Sequence, residues 1–223
     1  MRFTTKTLAI VWKDVIAELR TKELFSSMFV FILLLIVIFS FSFDLRVQNV
    51  ASVAPGVLWV AFAFAGTLEL NRSLSAEIEE SRLEGLLLAP MERSTIYFGK
   101  MVGNLMFISA TELLMLPIFS AVFDLNLIQP VLLLTVFLGT VGFAAVGTLL
   151  STMAANTRAR EVMLPVLLFP IVLPVVISAV KLTAGILDGL PSTAWASWLR
   201  LLIGFDIVFV VLSYLTFDYV VQG

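Results

Sequence analysis

Apolar residues run along this chain in six long blocks, at about 24–43, 50–70, 97–123, 131–153, 162–181 and 199–221, with short polar stretches between them. A helix needs about 20 apolar residues, at about 1.5 Å rise each, to cross about 30 Å of hydrocarbon. Each block meets or approaches that length, so the pattern predicts an all-α polytopic membrane protein with six transmembrane helices. The fifth block is less regular, because Pro165, Pro170 and Pro174 interrupt it. Each proline removes a backbone donor, which makes this span a bent helix, a hinge or a cavity lining. Residues 182–198, with Gly185, Gly189 and Pro191, are apolar but too short to cross. They read as a surface loop or a re-entrant hairpin.

The first 23 residues follow a different period. Leu8, Val11, Trp12, Val15, Ile16 and Leu19 share one helical face, and Lys6, Lys13, Asp14, Glu18 and Arg20 occupy the rest. That is the pattern of an amphipathic helix lying in a membrane interface. The acidic residues, and the lack of a small-residue cleavage pattern after the next apolar run, argue against a cleaved signal peptide. The chain therefore divides into an interface helix over 1–23 and a six-span transmembrane domain over 24–223.

Composition agrees with that division. Hydrophobic residues make up 60% of the chain and charged ones 13%, outside the range of soluble domains. With no cysteine there is neither a disulfide nor a thiolate metal site, and with no histidine the commonest general base and metal ligand is missing. A net charge of −2 with no basic stripe gives no sign of nucleic-acid binding. Orientation follows from the basic residues. Arg2, Lys6, Lys13, Arg20 and Lys22 precede the first span; Arg72, Arg82, Arg93 and Lys100 lie between the second and third; Arg158 and Arg160 lie between the fourth and fifth. The other side holds only Arg46, Lys181 and Arg200. By the positive-inside rule, both termini are expected in the cytoplasm. Trp195 and Trp198 would then mark the outer interface, and Tyr97, Tyr214 and Tyr219 the inner one.

The segment between spans two and three, about 74–94, carries the clearest candidate for a partner contact. Leu83, Leu86 and Leu87 stand at helical i, i+3, i+4 spacing, Glu84 and Gly85 lie between them, and Pro90 ends the turn. Charges flank this ridge on both sides, which suits a docking element pressed into a groove on another protein. Ser94 is placed to cap the following helix. No G-x-x-x-x-G-K-[ST] loop, nucleophile elbow or histidine-dependent constellation occurs, so no ATP hydrolysis or other enzymatic activity is expected of the chain itself. Glu112 reads as the one carboxylate deep inside an apolar block, with Asp206 as a second intramembrane candidate nearer the outer side. Thr140, Ala144, Gly147, Thr148 and Ser151 form a small-residue face on the fourth span, and Gly99 and Gly103 a small pair at the base of the third.

These parts in this order resemble the membrane subunits of ABC-2 type exporters, and more closely the CcmB family of cytochrome c biogenesis heme exporters. Ala54-Pro55-Gly56-Val57-Leu58-Trp59-Val60-Ala61 is similar to that family's opening of span two, with Pro55, Gly56 and Trp59 as its signature. Arg82-Leu83-Glu84-Gly85-Leu86-Leu87-Leu88-Ala89-Pro90 is similar to its coupling segment. The resemblance implies a permease of the bacterial plasma (inner) membrane, driven by a separate ATP-binding subunit (CcmA) through Leu83, Glu84, Gly85, Leu86, Leu87 and Pro90. It also implies a homodimer, with CcmC, CcmD and CcmE as further partners in heme-chaperone loading. Heme enters as a transported or complex-associated ligand. The absence of histidine argues against tight ligation here, and leaves Met106, Met115 and Met163 as weak ligands. Rival readings are an ABC-2 exporter of a drug, lipid or polysaccharide; a membrane scaffold coupling ATP hydrolysis to release of the heme chaperone; and an ion-coupled carrier resting on Glu112 and the broken fifth span.

Overall fold

The computed structural model describes residues 3–21, 23–44, 50–79, 93–154 and 160–222. Among these, all regular structure is helical: α1 (Phe3–Thr21), α2 (Glu23–Asp44), α3 (Ala54–Glu79), α4 (Arg93–Phe123), α5 (Pro130–Ala154), α6 (Arg160–Leu187) and α7 (Ser192–Gln222), with a 3₁₀ turn at Val50–Ser52 leading into α3. Helices are what long Leu-, Ile-, Val- and Phe-rich runs must form where hydrocarbon offers the backbone no partner. Five stretches are long and apolar enough to cross a membrane: Ala54–Ser73, Arg93–Phe123, Pro130–Ala154, Val162–Leu187 and Ser192–Phe217. The first predicted span falls on α2, whose apolar stretch, Ser26–Ser42, is shorter than the rest.

Two local expectations are resolved by backbone chemistry. Despite three prolines, α6 runs as one helix from Arg160 to Leu187. The Ser178 hydroxyl donates to the Pro174 carbonyl at 2.6 Å inside this stretch. Residues 182–198 are neither a loop nor a re-entrant hairpin: they are the last turns of α6, a tight reversal and the first turns of α7. Gly189 adopts φ +66°, while Leu190 N–H donates to the Gly185 carbonyl at 2.9 Å and Gly189 N–H to that of Ile186 at 3.1 Å. This paired 6→1 and 5→2 closure ends helices at a left-handed glycine, and Pro191 prevents continuation.

The central helix is α5, which packs against α3, α4, α6 and α7. Its small-residue face is what lets the neighbours in. Gly139 lies so close to Trp59 that a Cβ there would stand 2.4 Å from the indole. The same relation recurs along the seam, with Phe143 of α5 on Gly66 of α3 and Leu70 of α3 on Gly147 of α5. The outward surface is a band of large apolar side chains, among them Leu113, Phe137, Val166, Ile177, Ile207 and Val211. That band matches lipid tails.

Helix α1 does not simply float. Ile10 and Asp14, one turn apart, dock on the foot of α4, and Glu18 is buried one turn further on. Ile10 rests on the backbone at Gly99, with a Cβ there placed 2.8 Å from Ile10 Cβ. Asp14 accepts from Lys100 Nζ at 2.9 Å, and both side chains are largely buried. Leu8 and Trp12, the most apolar part of the predicted face, point outward at 65% and 66% exposure, while Val11 is buried. The small pair on α4 thus serves packing within the chain. Tyr97 also departs from expectation. It is fully buried, donating from its hydroxyl to the Ala145 carbonyl at 3.1 Å, while Tyr214 and Tyr219 are exposed. Ser94 lies inside the first turn of α4, which begins at Arg93, and not ahead of it.

Candidate functional site

Among the described residues of the spanning helices, Glu69, Glu112 and Asp206 are buried carboxylates. Glu112 lies on α4 midway along its length, 3% exposed. Its Oε2 accepts from the Thr140 hydroxyl of α5 at 2.6 Å, and that hydroxyl also lies 2.8 Å from the Val136 carbonyl. Thr140 is there because the α5 small face turns toward α4, so a pattern read as packing also supplies a donor. Beside them is a cavity of about 10 Å³, room for about one water molecule. Helices α3, α4, α5 and α6 enclose it, with Trp59, Ile108, Glu112, Thr140, Phe143 and Val175 among its walls.

Trp59 is the link between the span-two motif and this cavity. Its indole lies on Gly139, and its Nε1 donates to the Thr183 hydroxyl of α6 at 3.0 Å. Pro55 sits in the first turn of α3, where a missing N–H does no harm. The space around the Gly56 Cβ position is open. Of the three motif residues, the cavity is lined by Trp59.

Asp206, on α7, is not among the residues lining this cavity. It packs against α5 at Gly142, where a Cβ would stand 2.4 Å from its Oδ1 and 3.1 Å from Val175 Cγ2. No donor among the described residues reaches either carboxylate oxygen of Asp206.

Glu69 is a further buried carboxylate that the apolar pattern did not mark. It sits on α3 at 1% exposure, within the electrostatic reach of Glu18, Asp14 and Lys100. No described donor reaches its Oε2. Asn104 of α4 donates to the Thr148 hydroxyl of α5 at 3.0 Å, extending the polar interior. Neither Glu69 nor Asn104 was singled out from the sequence. The available signal was a carboxylate inside an apolar stretch one turn before Arg72, where it resembled an interface residue.

The remaining expected residues divide simply. Leu83, Glu84, Gly85, Leu86, Leu87 and Pro90 lie outside the described residues. Met115 is a core residue, whereas Met106 and Met163 are on the outer surface, so the three do not gather as ligands. Among the described residues, no group of acidic side chains is arranged to hold a metal ion.

Several apolar helices of spanning length packed around buried carboxylates and hydroxyls define a multi-pass membrane protein. The chain belongs to the CcmB family: the family model described as "CcmB protein" matches residues 5–222. Among curated relatives, it is 28% identical over 153 residues to heme exporter protein B of Pseudomonas aeruginosa, covering 68% of this chain and 69% of that protein. It is 27% identical over 131 residues to the protein of that name from Haemophilus influenzae, covering 58% of this chain and 59% of the relative. The Rhodobacter capsulatus heme exporter protein B is 25% identical over 146 residues, covering 64% of this chain and 66% of the relative.

Proposed function

We propose that this chain is the membrane permease subunit of an ABC-type complex acting in heme export and heme-chaperone loading for c-type cytochrome maturation. The observation that carries the reading is the family match across residues 5–222, together with relatives named heme exporter protein B. The helical plan supports it. Helix α2 supplies the sixth span, both termini lie in the cytoplasm, and α1 lies in the cytosolic interface with Leu8 and Trp12 toward lipid. A separate ATP-binding subunit docks on the ridge Leu83, Leu86 and Leu87 between α3 and α4, and its closure tilts those two helices. Two copies of the chain form the membrane part, and CcmC-, CcmD- and CcmE-like proteins complete the system in the bacterial plasma membrane.

Deleting the gene is expected to remove covalent heme from c-type cytochromes while b-type cytochromes stay normal, as read by heme-stained gels and difference spectra. Normal c-type cytochromes would discard this function and leave an ABC-2 exporter of another substrate.

The buried carboxylate at the cavity favours one rival enough to test it, a carrier that depends on the charge of Glu112. Glu112→Gln keeps an oxygen to accept from Thr140 and is expected to restore c-type cytochromes to within about twofold of the wild type, because the bond between α4 and α5 is retained. A loss beyond tenfold with normal membrane levels would make the charge itself necessary.

A further inference from the structure

Asp14 and Glu18 of α1, Glu69 of α3 and Lys100 of α4 meet where these three helices join. Glu69 is 1% exposed, and no described donor reaches its Oε2. Among the described residues, the charged groups acting on it are the carboxylates Glu18 and Asp14 and the cation Lys100. Of the other helices packed on α3, α5 carries no titratable side chain. Helix α2 bears charge at its end residues Glu23 and Asp44, and α6 at Arg160, Glu161 and Lys181. Glu112 lies about 18 Å further along α4 than Lys100. Lys100 is already engaged, because its Nζ donates to Asp14 Oδ2 at 2.9 Å. Lys13, the more exposed lysine, stands 3.3 Å from Asp14 Oδ1. Three carboxylates thus share two lysines, and the most deeply buried of them is the one left without a donor at Oε2.

We propose that Glu69 is a proton-binding site that controls the attachment of α1 to the foot of α4. An ionised carboxylate buried without a donor beside two like charges is costly, and such a group takes a proton instead. With the proton bound, Lys100 stays on Asp14 and α1 is docked. When the proton leaves to water, the new buried charge draws Lys100 from Asp14 to Glu69, and α1 is released. The step is an acid dissociation and needs no other reactant. The surroundings suit the exchange. Asp14 keeps Lys13 when Lys100 turns away, so neither carboxylate is stranded. What then remains of the docking is apolar, Ile10 on Gly99 and beside Tyr97 and Met101. The clasp also sits where motion would enter the bundle, since α3 ends at Glu79 and α4 starts at Arg93, on either side of the segment assigned to the ATP-binding partner. It is independent of the cargo.

The chain has no cysteine, so one introduced thiol reports on one place. Met101→Cys puts it in the buried apolar patch that Ile10 covers, where a maleimide reaches it when α1 lifts. The full chain in lipid nanodiscs is labelled across a series of pH values, and each rate is divided by that of Thr5→Cys, on the exposed side of α1. The ratio cancels the ionisation of the thiol itself. The docked form holds one proton more than the released form, so between about pH 6 and about pH 8.5 the ratio is expected to climb more than tenfold, by at most about tenfold per unit. Glu69→Gln keeps the shape and has no proton to release. It is expected to hold the ratio at its low value, flat within about twofold, and Glu69→Met serves the same purpose should the glutamine disturb folding. A flat ratio with Glu69 in place overturns the site. An equal climb in a folded Glu69 variant overturns it as well, by placing the titration elsewhere in the cluster. Leu168→Cys, at a fully buried position of α6, is labelled in parallel. A climb there in step with Met101→Cys means that the whole bundle opens, and that outcome also rejects the clasp.

Discussion

Leu86→Asp is expected to abolish co-purification of this chain with its ATP-binding subunit while the chain still reaches the membrane at normal levels. Leu83, Leu86 and Leu87 stand at i, i+3, i+4 spacing in the sequence, and in the proposed docking contact a central leucine would be buried on all sides. Putting a carboxylate there leaves a charge desolvated without a partner. The penalty in protein interfaces is of the order of 2–4 kcal/mol for a central residue, which weakens association by about thirtyfold or more. Insertion is spared because the segment lies between apolar blocks and not inside one. Loss of c-type cytochrome heme should follow the loss of association. Retained association with the Leu86→Asp chain would remove the docking assignment and, with it, the route by which α3 and α4 are moved.

The second large effect is expected at the foot of α4. Lys100→Met removes the cation that Asp14 accepts from at 2.9 Å, in a setting where both side chains are mostly buried. Glu18 and Glu69, 8% and 1% exposed, share the same surroundings. Lys13 Nζ stays 3.3 Å from Asp14 Oδ1, so the carboxylate keeps one cation. The loss is that of one charged, largely buried hydrogen bond, about 1.5–3 kcal/mol. The expected result is a clearly lowered unfolding midpoint in detergent and early protease cleavage within α1. Adding Glu69→Gln should return part of the loss, because it withdraws a carboxylate from the cluster; the two changes should therefore couple in a double-mutant cycle. An unaltered midpoint for Lys100→Met would mean that Ile10 on Gly99, and not the ion pair, holds α1 to the bundle.

Much of this fold was legible in the chain. Six apolar blocks, a helical amphipathic start and a lopsided distribution of basic residues lead to an all-helical membrane protein, because a bilayer leaves the backbone few other choices. The small-residue face of α5 was legible as a place where helices approach. Its additional role was not, since Thr140 reaches Glu112 and Thr148 reaches Asn104 only once α4 is set against it. For α1, periodicity yields an amphipathic helix but not its contact with the bundle, because Ile10 and Asp14 meet Gly99 and Lys100 some ninety residues away.

The candidate site divides along the same line. Sequence by itself determined that Glu112 and Asp206 are carboxylates inside apolar blocks and that Trp59 belongs to a recognisable opening of span two. Those are local facts, set by side-chain chemistry and by position within a span. Only the tertiary structure decided that Trp59 and Glu112 border one cavity, that Asp206 packs on α5 at Gly142 without lining that cavity, and that Glu69 is as deeply buried as either. Each of these depends on which faces of five helices meet. That choice is made by glycines and large side chains matched across the α3–α5 seam, 80 residues apart at Trp59 and Gly139, and no local period in the chain encodes it.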